Sequence, residues 1–223
     1  MSTSKASSRQ GKTELEETTS TRERILRAAE ALFAERGIDA VSLREITAAA
    51  NANTASLHYH FGSKEALLAE IFSSRALPIA ERRLELLDRV GRDKKGRPVL
   101  EDVLRAFLRP ALEVPAGPQG AAFVLLRARL AFEPADIRRT VLGKAFDASS
   151  KKFIEALREA LPDLTEDRLH WRFHFLLGAM VYTMAAPGRI ESMTDGALDT
   201  SNSTTALEEL VTFAAAGFRD PKK

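Results

Sequence analysis

The residues in this sequence that bring the most chemistry together are His58, Tyr59, His60 and Phe61, which follow one another directly. Two imidazoles beside a phenol are compatible with catalysis, with a metal site, or with a surface that contacts another molecule. No Asp or Glu lies within 58–60 to orient an imidazole, so catalysis is weakly supported. Side chains two residues apart do not share a helical face, so the histidines cannot chelate one ion there. The cluster therefore indicates a contact surface.

A second histidine pair, His170 and His174, is spaced by four residues, with Glu166 one turn earlier. On a helix these side chains share a face, which is compatible with a bound metal ion. The alternative, which we favour, is that they are polar residues at an interface or core histidines with hydrogen-bond partners. We predict no metal and no cofactor. The chain has no cysteine and no Gly-rich phosphate loop, so nothing indicates an enzyme.

Capping patterns place the first cluster within a series of short helices. Ser20 and Ser42 each precede a glutamate by three residues, which is the pattern of a capping box, and apolar residues at helical spacing follow both serines. Gly37 is expected to end the first of these helices. Two amphipathic helices, separated by a tight turn, are therefore predicted before residue 51.

The next turn and helix contain the histidine cluster. Asn51 tolerates the left-handed backbone conformation, and Asn53 can cap a helix from Thr54 to Phe61. A fourth helix is predicted after Ser63, and Pro78 is expected to interrupt and kink it. Short helices that cross through a three-residue turn are typical of a helix-turn-helix.

Residues 21–72 resemble the DNA-binding domain of the TetR family of bacterial transcriptional regulators, and most closely its PsrA-like subgroup. Two positions differ from the family pattern: Asn51-Ala52-Asn53 replaces Gly-Val-Ser in the turn, and His58 replaces a tyrosine. The matching residues are Ile25, Ala28, Ala29, Phe33, Gly37, Ser42, Ile46, Ala50, Tyr59, His60, Phe61, Ser63, Lys64, Leu67 and Leu68.

In a helix-turn-helix the second helix enters the major groove of DNA with its first turns facing base edges. Because that helix begins after Asn53, we expect Thr54, Ala55 and Ser56 to face the bases, and we count Asn53 itself among the DNA-binding residues. The resemblance adds Arg44 as a guanine contact, for which the alternative is a solvated arginine. For His60 the alternative to a DNA contact is a buried position. The expected phosphate contacts are Thr21, Arg22, Ser42, His58, Tyr59, His60 and Lys64.

The charge balance indicates how such a protein would gain affinity for DNA. The formal net charge is +2. From Arg22 to Arg75 there are seven basic and seven acidic residues, so their charges cancel. Affinity must therefore come from the placement of charges and from two copies of the site, rather than from bulk charge. We expect a homodimer on a palindromic double-stranded operator.

The remaining sequence predicts further helices, with a turn at 115–120 and a loop from Gly188 to Ser203, so the fold class is all-α. We expect a disordered tail at 1–19, which is either a solubilising leader or a basic arm. A helix-turn-helix domain at 20–66 and a helical effector-binding and dimerisation domain at 67–223 follow. The resemblance implies that helices at Thr165–Ala186 and Thr204–Phe218 form the dimer.

The resemblance also implies an effector pocket among the middle helices. Its apolar lining would come from the same residues that a packed core needs. Arg127 and Arg129 are candidates for an acidic head group, but positions two apart diverge on a helix, so at most one points inward. The residues proposed to bind an effector are Phe107, Phe123, Leu126, Arg127 and Phe132.

Several features indicate a cytoplasmic protein. The absence of cysteine fits a reducing compartment. Met1 to Thr21 lacks an apolar core, and the longest apolar run, Phe175 to Ala186, is shorter than a bilayer requires. The sequence therefore predicts a cytoplasmic, ligand-responsive DNA-binding regulator, most simply a repressor released by a small apolar or amphipathic effector, with no membrane partner.

Overall fold

A computed structural model describes residues 20–113, 118–130, 133–185, 188–200 and 202–220. The predicted tail at 1–19 and the proposed effector residue Phe132 lie outside these ranges. The described chain is helical, with one isolated β-bridge between Arg92 and Pro98, which confirms the all-α prediction. Its helices are α1 (Thr21–Arg36), α2 (Leu43–Ala49), α3 (Thr54–Phe61), α4 (Lys64–Leu87), α5 (Leu100–Leu112), α6 (Pro118–Leu130), α7 (Ala135–Ala160), α8 (Glu166–Ala185), α9 (Arg189–Met193) and α10 (Ser203–Arg219).

The chain forms two compact units, which divide between Ile71 and Phe72 within α4. In the first unit, α1, α2 and α3 pack against one another around an apolar core. The side chains of this core are fully or almost fully buried, so they fix the three short helices together. They are Ile25, Ala29, Phe33, Ala34, Ile38, Val41, Ile46, Ala50, Leu57, Leu67, Leu68 and Ile71.

The helix boundaries of the first unit follow the capping residues. The Ser20 hydroxyl accepts a hydrogen bond from the Glu23 N–H at 3.2 Å, which caps α1. Gly37 ends α1 with a φ of 88°, a value that disfavours residues with a side chain. Ser42 and Glu45 form the full reciprocal capping box of α2. Local sequence signals therefore determine where these helices begin and end.

The second unit has its own core, in which α5 packs against α10, α7 and α8. Phe107 of α5 lies at its centre, with its ring 5.1 Å from that of Phe153 and 5.2 Å from that of Phe173. Phe123 of α6 packs separately, with its ring 5.4 Å from that of Phe72. Aromatic rings therefore pack in at least two places in this unit, one around Phe107 and the other between Phe72 and Phe123.

Three expectations about the second half were wrong. Helix α4 continues through Pro78, because one missing N–H does not end a helix whose neighbouring turns carry the buried Phe72, Ala76 and Arg83. Helix α6 begins at Pro118, inside the stretch expected to be a turn, and proline is favourable at a first helical position. The expected loop after Gly188 contains the short helix α9.

The capping box of α2 predicts a specific response to acid. Hydrogen bonds from the Ser42 side chain and backbone, followed by that from Arg36, lower the pKa of Glu45 to about 2. A carboxylate whose folded-state pKa lies below its unfolded value contributes stability at neutral pH, and this is lost as the pH falls from about 5 towards 2. Between about pH 5 and pH 2, the melting temperature of Glu45→Gln should therefore fall less than that of the wild type. The measurement is thermal unfolding followed by circular dichroism at each pH.

The matched control is Glu81→Gln, which neutralises an exposed glutamate of α4. Its melting temperature should decline with pH in parallel with that of the wild type. Parallel decline for Glu45→Gln would show that the capping box makes no acid-sensitive contribution.

Candidate DNA-binding site

The turn between α2 and α3 is held by backbone geometry and by one arginine of α1. Asn51 adopts the left-handed conformation with a φ of 47°, as the sequence predicted. The Ala52 N–H donates to the Thr47 carbonyl at 2.9 Å. Arg24 donates from Nε to the Ala50 carbonyl at 3.1 Å and from Nη2 to the Asn51 carbonyl at 3.3 Å. Arg24 therefore fixes the turn that sets the start of α3.

Arg24 was not identified from the sequence. It is one of several arginines in α1, and its spacing alone does not reveal that it points toward a turn 26 residues later. Its role here is positioning: a guanidinium can donate to two neighbouring carbonyls at once because its N–H groups lie in one plane.

Helix α3 presents its first turn to solvent while one residue anchors it. Leu57 is fully buried. Thr54 and Ala55 are exposed and Ser56 is half-buried. The Asn53 side chain accepts the Ser56 N–H at 2.7 Å, so this predicted contact residue acts as the helix cap. The two small exposed side chains leave room for close approach to a base edge.

Further along α3, and on α2, long side chains project into solvent. Tyr59 is 87% exposed, and its ring lies 5.2 Å from that of His60 in an edge-to-face contact. His60 is also exposed, so the buried alternative for this residue was wrong. Arg44 is exposed and forms no ion pair or hydrogen bond through its side chain with any residue that the structure describes. Arg44 and Tyr59 are thus exposed to an incoming partner, and among the described residues neither has an ion pair that such a partner would break.

His58 is engaged at the end of its own helix. Its Nδ1 lies 2.8 Å from the Gly62 carbonyl, which can only accept, so Nδ1 carries the hydrogen. In the neutral ring Nε2 is then an acceptor and cannot donate to a phosphate oxygen. In this geometry His58 can contact a phosphate as a donor only in its protonated form.

The other predicted phosphate contacts already have partners in the first unit. Arg22 pairs with Glu70, and its Cζ lies 5.4 Å from the centre of the Phe61 ring. The Ser42 hydroxyl donates to Glu45 at 2.7 Å. Lys64 donates to the Asp39 carbonyl at 3.4 Å, and Thr21 accepts from Arg24 at 3.3 Å. Contact with a phosphate would require these groups to share or exchange partners.

The residues proposed for an effector lie inside the second unit. Phe107, Phe123 and Leu126 are buried, as a core or a pocket lining requires. Of the two arginines considered, Arg127 is buried and Arg129 is only half-buried. The structure adds Arg83 of α4, which is fully buried beside Phe107. Arg83 follows Phe72 and Ala76 on the same apolar stripe of α4, and this periodicity was the available signal.

An exposed apolar surface lies on α8 and α10, and we call it the α8–α10 face. Trp171, Phe175 and Tyr182 recur along one side of α8, and Phe213 lies on α10; each is more than half exposed. Tyr182 and Phe213 line the same surface cavity of about 380 Å³. Large aromatic residues that remain exposed in this way indicate an interaction surface.

The histidine pair of α8 lies on the exterior and not in the core. His170 and His174 are both exposed. His170 Nδ1 contacts the Glu166 carbonyl at 2.8 Å, and the His174 ring packs edge-on to Trp171 at 5.8 Å. Within the described residues no group of three His, Asp or Glu side chains is arranged to hold a metal ion. In the same ranges, no helix has both the length and the apolar character needed to cross a bilayer.

Comparison with known families gives two matches that together cover most of the chain. Residues 25–71 match the family described as bacterial regulatory proteins, tetR family. Residues 105–217 match the tetracyclin repressor-like, C-terminal domain. Among curated proteins, none matches the chain in sequence.

Solved structures with similar folds include three bacterial regulators. The ketosteroid transcriptional regulator KstR2 of Mycobacterium tuberculosis is 22% identical, with a TM-score of 0.61 over 89% of this chain and 95% of that one. The TetR family regulator PfmR of Thermus thermophilus is 21% identical, with a TM-score of 0.57 over 90% and 100%. The fatty acid degradation regulator FadR of Bacillus halodurans is 14% identical, with a TM-score of 0.61 over 91% and 98%. At these identities the likeness is one of fold.

Proposed function

The chain belongs to the TetR family of bacterial DNA-binding transcriptional regulators, and we propose that it is a repressor that binds a palindromic operator as a homodimer. A small apolar or amphipathic effector binds within the helical second unit and releases the repressor from DNA. DNA binding is assigned to 20–66, and effector binding and dimerisation to 67–223. We further propose that the protein works in the cytoplasm, where its operator DNA lies, and that it belongs to the PsrA-like subgroup.

The observation that carries this proposal is the exposure of Arg44 on α2 and of Thr54, Ala55 and Tyr59 on α3, which we treat as one contact surface. These side chains project from helices whose register is fixed by Leu57 and by the Arg24 contacts to the turn. Arginine reads guanine through two hydrogen bonds, while the threonine and alanine methyl groups suit a thymine methyl. The tyrosine hydroxyl and protonated His58 suit phosphate oxygens. The surface therefore combines side chains for base readout and for backbone contact.

A double variant, Arg44→Ala with Tyr59→Ala, tests this surface. Each lost bidentate base contact costs about 1–3 kcal/mol, and a dimer loses the contact twice, so operator affinity should fall about 30-fold or more. Both side chains are exposed, so the melting temperature should stay close to that of the wild type. The measurement is a fluorescence-anisotropy titration of operator DNA obtained by selection from a random double-stranded pool.

The charge-matched control is Arg139→Ala, which removes an exposed arginine of α7. It should bind the operator as the wild type does. Wild-type affinity of the Arg44, Tyr59 double variant would refute the contact surface. Recovery of no palindrome from the selection, with folded protein, would refute sequence-specific binding by a symmetric dimer.

The same exposed surface suits a second function, docking of a protein partner without DNA, because Tyr59 and His60 are exposed rings. The salt dependence of binding distinguishes DNA binding from docking of a protein. Binding dominated by phosphates weakens steeply as salt rises, since each neutralised phosphate releases a counterion, whereas apolar docking changes little. If a plot of the logarithm of the binding constant against the logarithm of the salt concentration has a slope near zero, docking of a protein partner is favoured.

The α8–α10 face supplies the support for a homodimer. Its aromatic side chains are too large and too exposed for an isolated soluble surface, and they lie on the two helices that the family resemblance assigns to the dimer. A two-fold axis through this face gives the dimer two symmetry-related helix-turn-helix units, which a palindromic site requires. An effector then acts through its differential affinity for the DNA-competent and DNA-incompetent arrangements of the dimer.

A further inference from the structure

Arg83 is the largest fully buried side chain of the described residues, with 1% of its surface exposed. Its Nε donates to the Phe107 carbonyl at 2.8 Å, and its Nη2 lies 3.4 Å from the Met180 sulfur. Its Cζ lies 3.8 Å from the centre of the Phe107 ring. One neutral carbonyl, a thioether and an aromatic face provide little compensation for a buried positive charge.

Arg127 is the second buried cation, with 7% of its surface exposed. Its Nη1 lies 3.6 Å from the Met184 sulfur, and its Cζ lies 4.7 Å from the centre of the Phe146 ring. Arg83 stands against the same Phe146 ring, with its Cζ 5.7 Å from the ring centre. The two guanidinium groups therefore both lie near the Phe146 ring, in an apolar environment built from α4, α5, α6, α7 and α8.

Among the residues that the structure describes, no carboxylate is paired with either of these two charges. Neither Arg83 nor Arg127 takes part in an ion pair with a described residue. The intervening sequence at 114–117, 131–132 and 186–187 contains no Asp or Glu. Burial lowers the pKa of Arg127 to about 10, so it remains charged at neutral pH. Burial, and then the charge of Arg127, lower the pKa of Arg83.

We propose that Arg83 and Arg127 form a binding site for the oxyanion head group of an amphipathic effector. The planar N–H fork of arginine matches a carboxylate or a phosphate, and a single anion would compensate both buried cations at once. The aromatic rings and methionine sulfurs around the two arginines suit the apolar part of such a molecule. This inference rests on the proposed ligand-responsive function, and it assigns the chemical class of the ligand.

The test is the thermal unfolding of the full chain, without DNA, in the presence of decanoate, decyl phosphate or decanol. At tenfold excess over Kd, the oxyanion that fits should raise Tm by about 3–6 °C, whereas uncharged decanol should not. Stronger stabilisation by decanoate identifies a carboxylate ligand, and stronger stabilisation by decyl phosphate identifies a phosphate ligand. Equal stabilisation by decanol, or no stabilisation by either oxyanion, would overturn the proposal.

Arg127→Met keeps an unbranched side chain at this position and removes its charge. Its affinity for the oxyanion should fall about 10- to 150-fold, because a charge-assisted hydrogen bond to a buried group is lost. Its Tm without ligand should rise, since an uncompensated buried charge is removed; a fall would indicate a purely structural arginine and contradict the proposal. Arg83→Met provides a second variant with the same expected loss of oxyanion affinity, and Arg139→Met is the exposed control.

The outcome is separable from that of the repressor proposal. Because the melts contain no DNA, a failure to bind any operator would refute the repressor function without deciding whether the arginines bind an oxyanion. An oxyanion that binds through Arg127 but leaves the operator complex intact would refute release by this ligand and retain the site.

Discussion

Replacing Phe175 and Phe213 by aspartate is expected to give a monomer whose affinity for operator DNA is about 1,000-fold lower than that of the wild type. Phe175 is 63% exposed and Phe213 is 72% exposed, on the two helices of the α8–α10 face. In a two-fold interface each residue meets the same face of the partner, so the double variant places four carboxylates in an apolar contact. A monomer reaches only one half-site, and its affinity approaches the nonspecific level.

The measurement pairs sedimentation equilibrium with an operator titration at fixed salt. Leu77→Asp is the matched control, because Leu77 of α4 is also exposed but lies outside the α8–α10 face. It should remain dimeric and bind as the wild type does. A Phe175, Phe213 double variant that sediments as a dimer would show that another surface joins the subunits.

The second large effect is expected from Phe107→Ala, which should lower the free energy of unfolding by about 3–5 kcal/mol. The Phe107 ring is buried between the rings of Phe153 and Phe173, and it also supports the Arg83 guanidinium. Its removal leaves a cavity in the core and takes an aromatic face away from a buried cation. Loss on this scale is a large fraction of the stability of an ordinary domain.

The free energy is best measured by urea unfolding followed through tryptophan fluorescence. The chain contains one tryptophan, Trp171, which lies on α8 in the second unit, so the signal follows the unit that contains Phe107. Phe107→Leu fills most of the cavity, so its free energy of unfolding should fall distinctly less than that of Phe107→Ala. All variants need the same protein concentration, because a dimer couples association to unfolding. A loss below about 1 kcal/mol for Phe107→Ala would mean that the core collapses around the cavity.

Much of the first unit could be predicted because its signals are local. A capping serine, a glycine with positive φ and an asparagine in the left-handed region act through the backbone of their own turn. The structure has these features at Ser42, Gly37 and Asn51. The DNA-contact and effector assignments remain predictions, although the structure shows which of those side chains are exposed, engaged or buried.

The second half was harder to predict at positions where a local preference of the backbone competes with the burial of neighbouring side chains. Pro78 lacks the N–H that continues a helix, yet buried side chains on either side keep α4 intact. The position of α9 within an expected loop is likewise not signalled by a strong cap, since its N-cap is Gly188 without a side-chain hydrogen bond. At Pro78, local propensity was overridden by the packing of the buried side chains on either side of it.

Local patterns are enough to assign the helical class, the order of the helix-turn-helix elements and the family, because periodicity, capping and motif spacing act over a few residues. Which basic side chains pair with other described residues, and which face solvent, follows instead from the way the helices pack. Arg22 and Arg44 read alike in the sequence, but Arg22 pairs with Glu70, 48 residues away, while Arg44 faces solvent. Arg83 and Arg127 are 44 positions apart and meet at one ring because helices from different parts of the chain pack together. Such pairings depend on long-range geometry that no local pattern records.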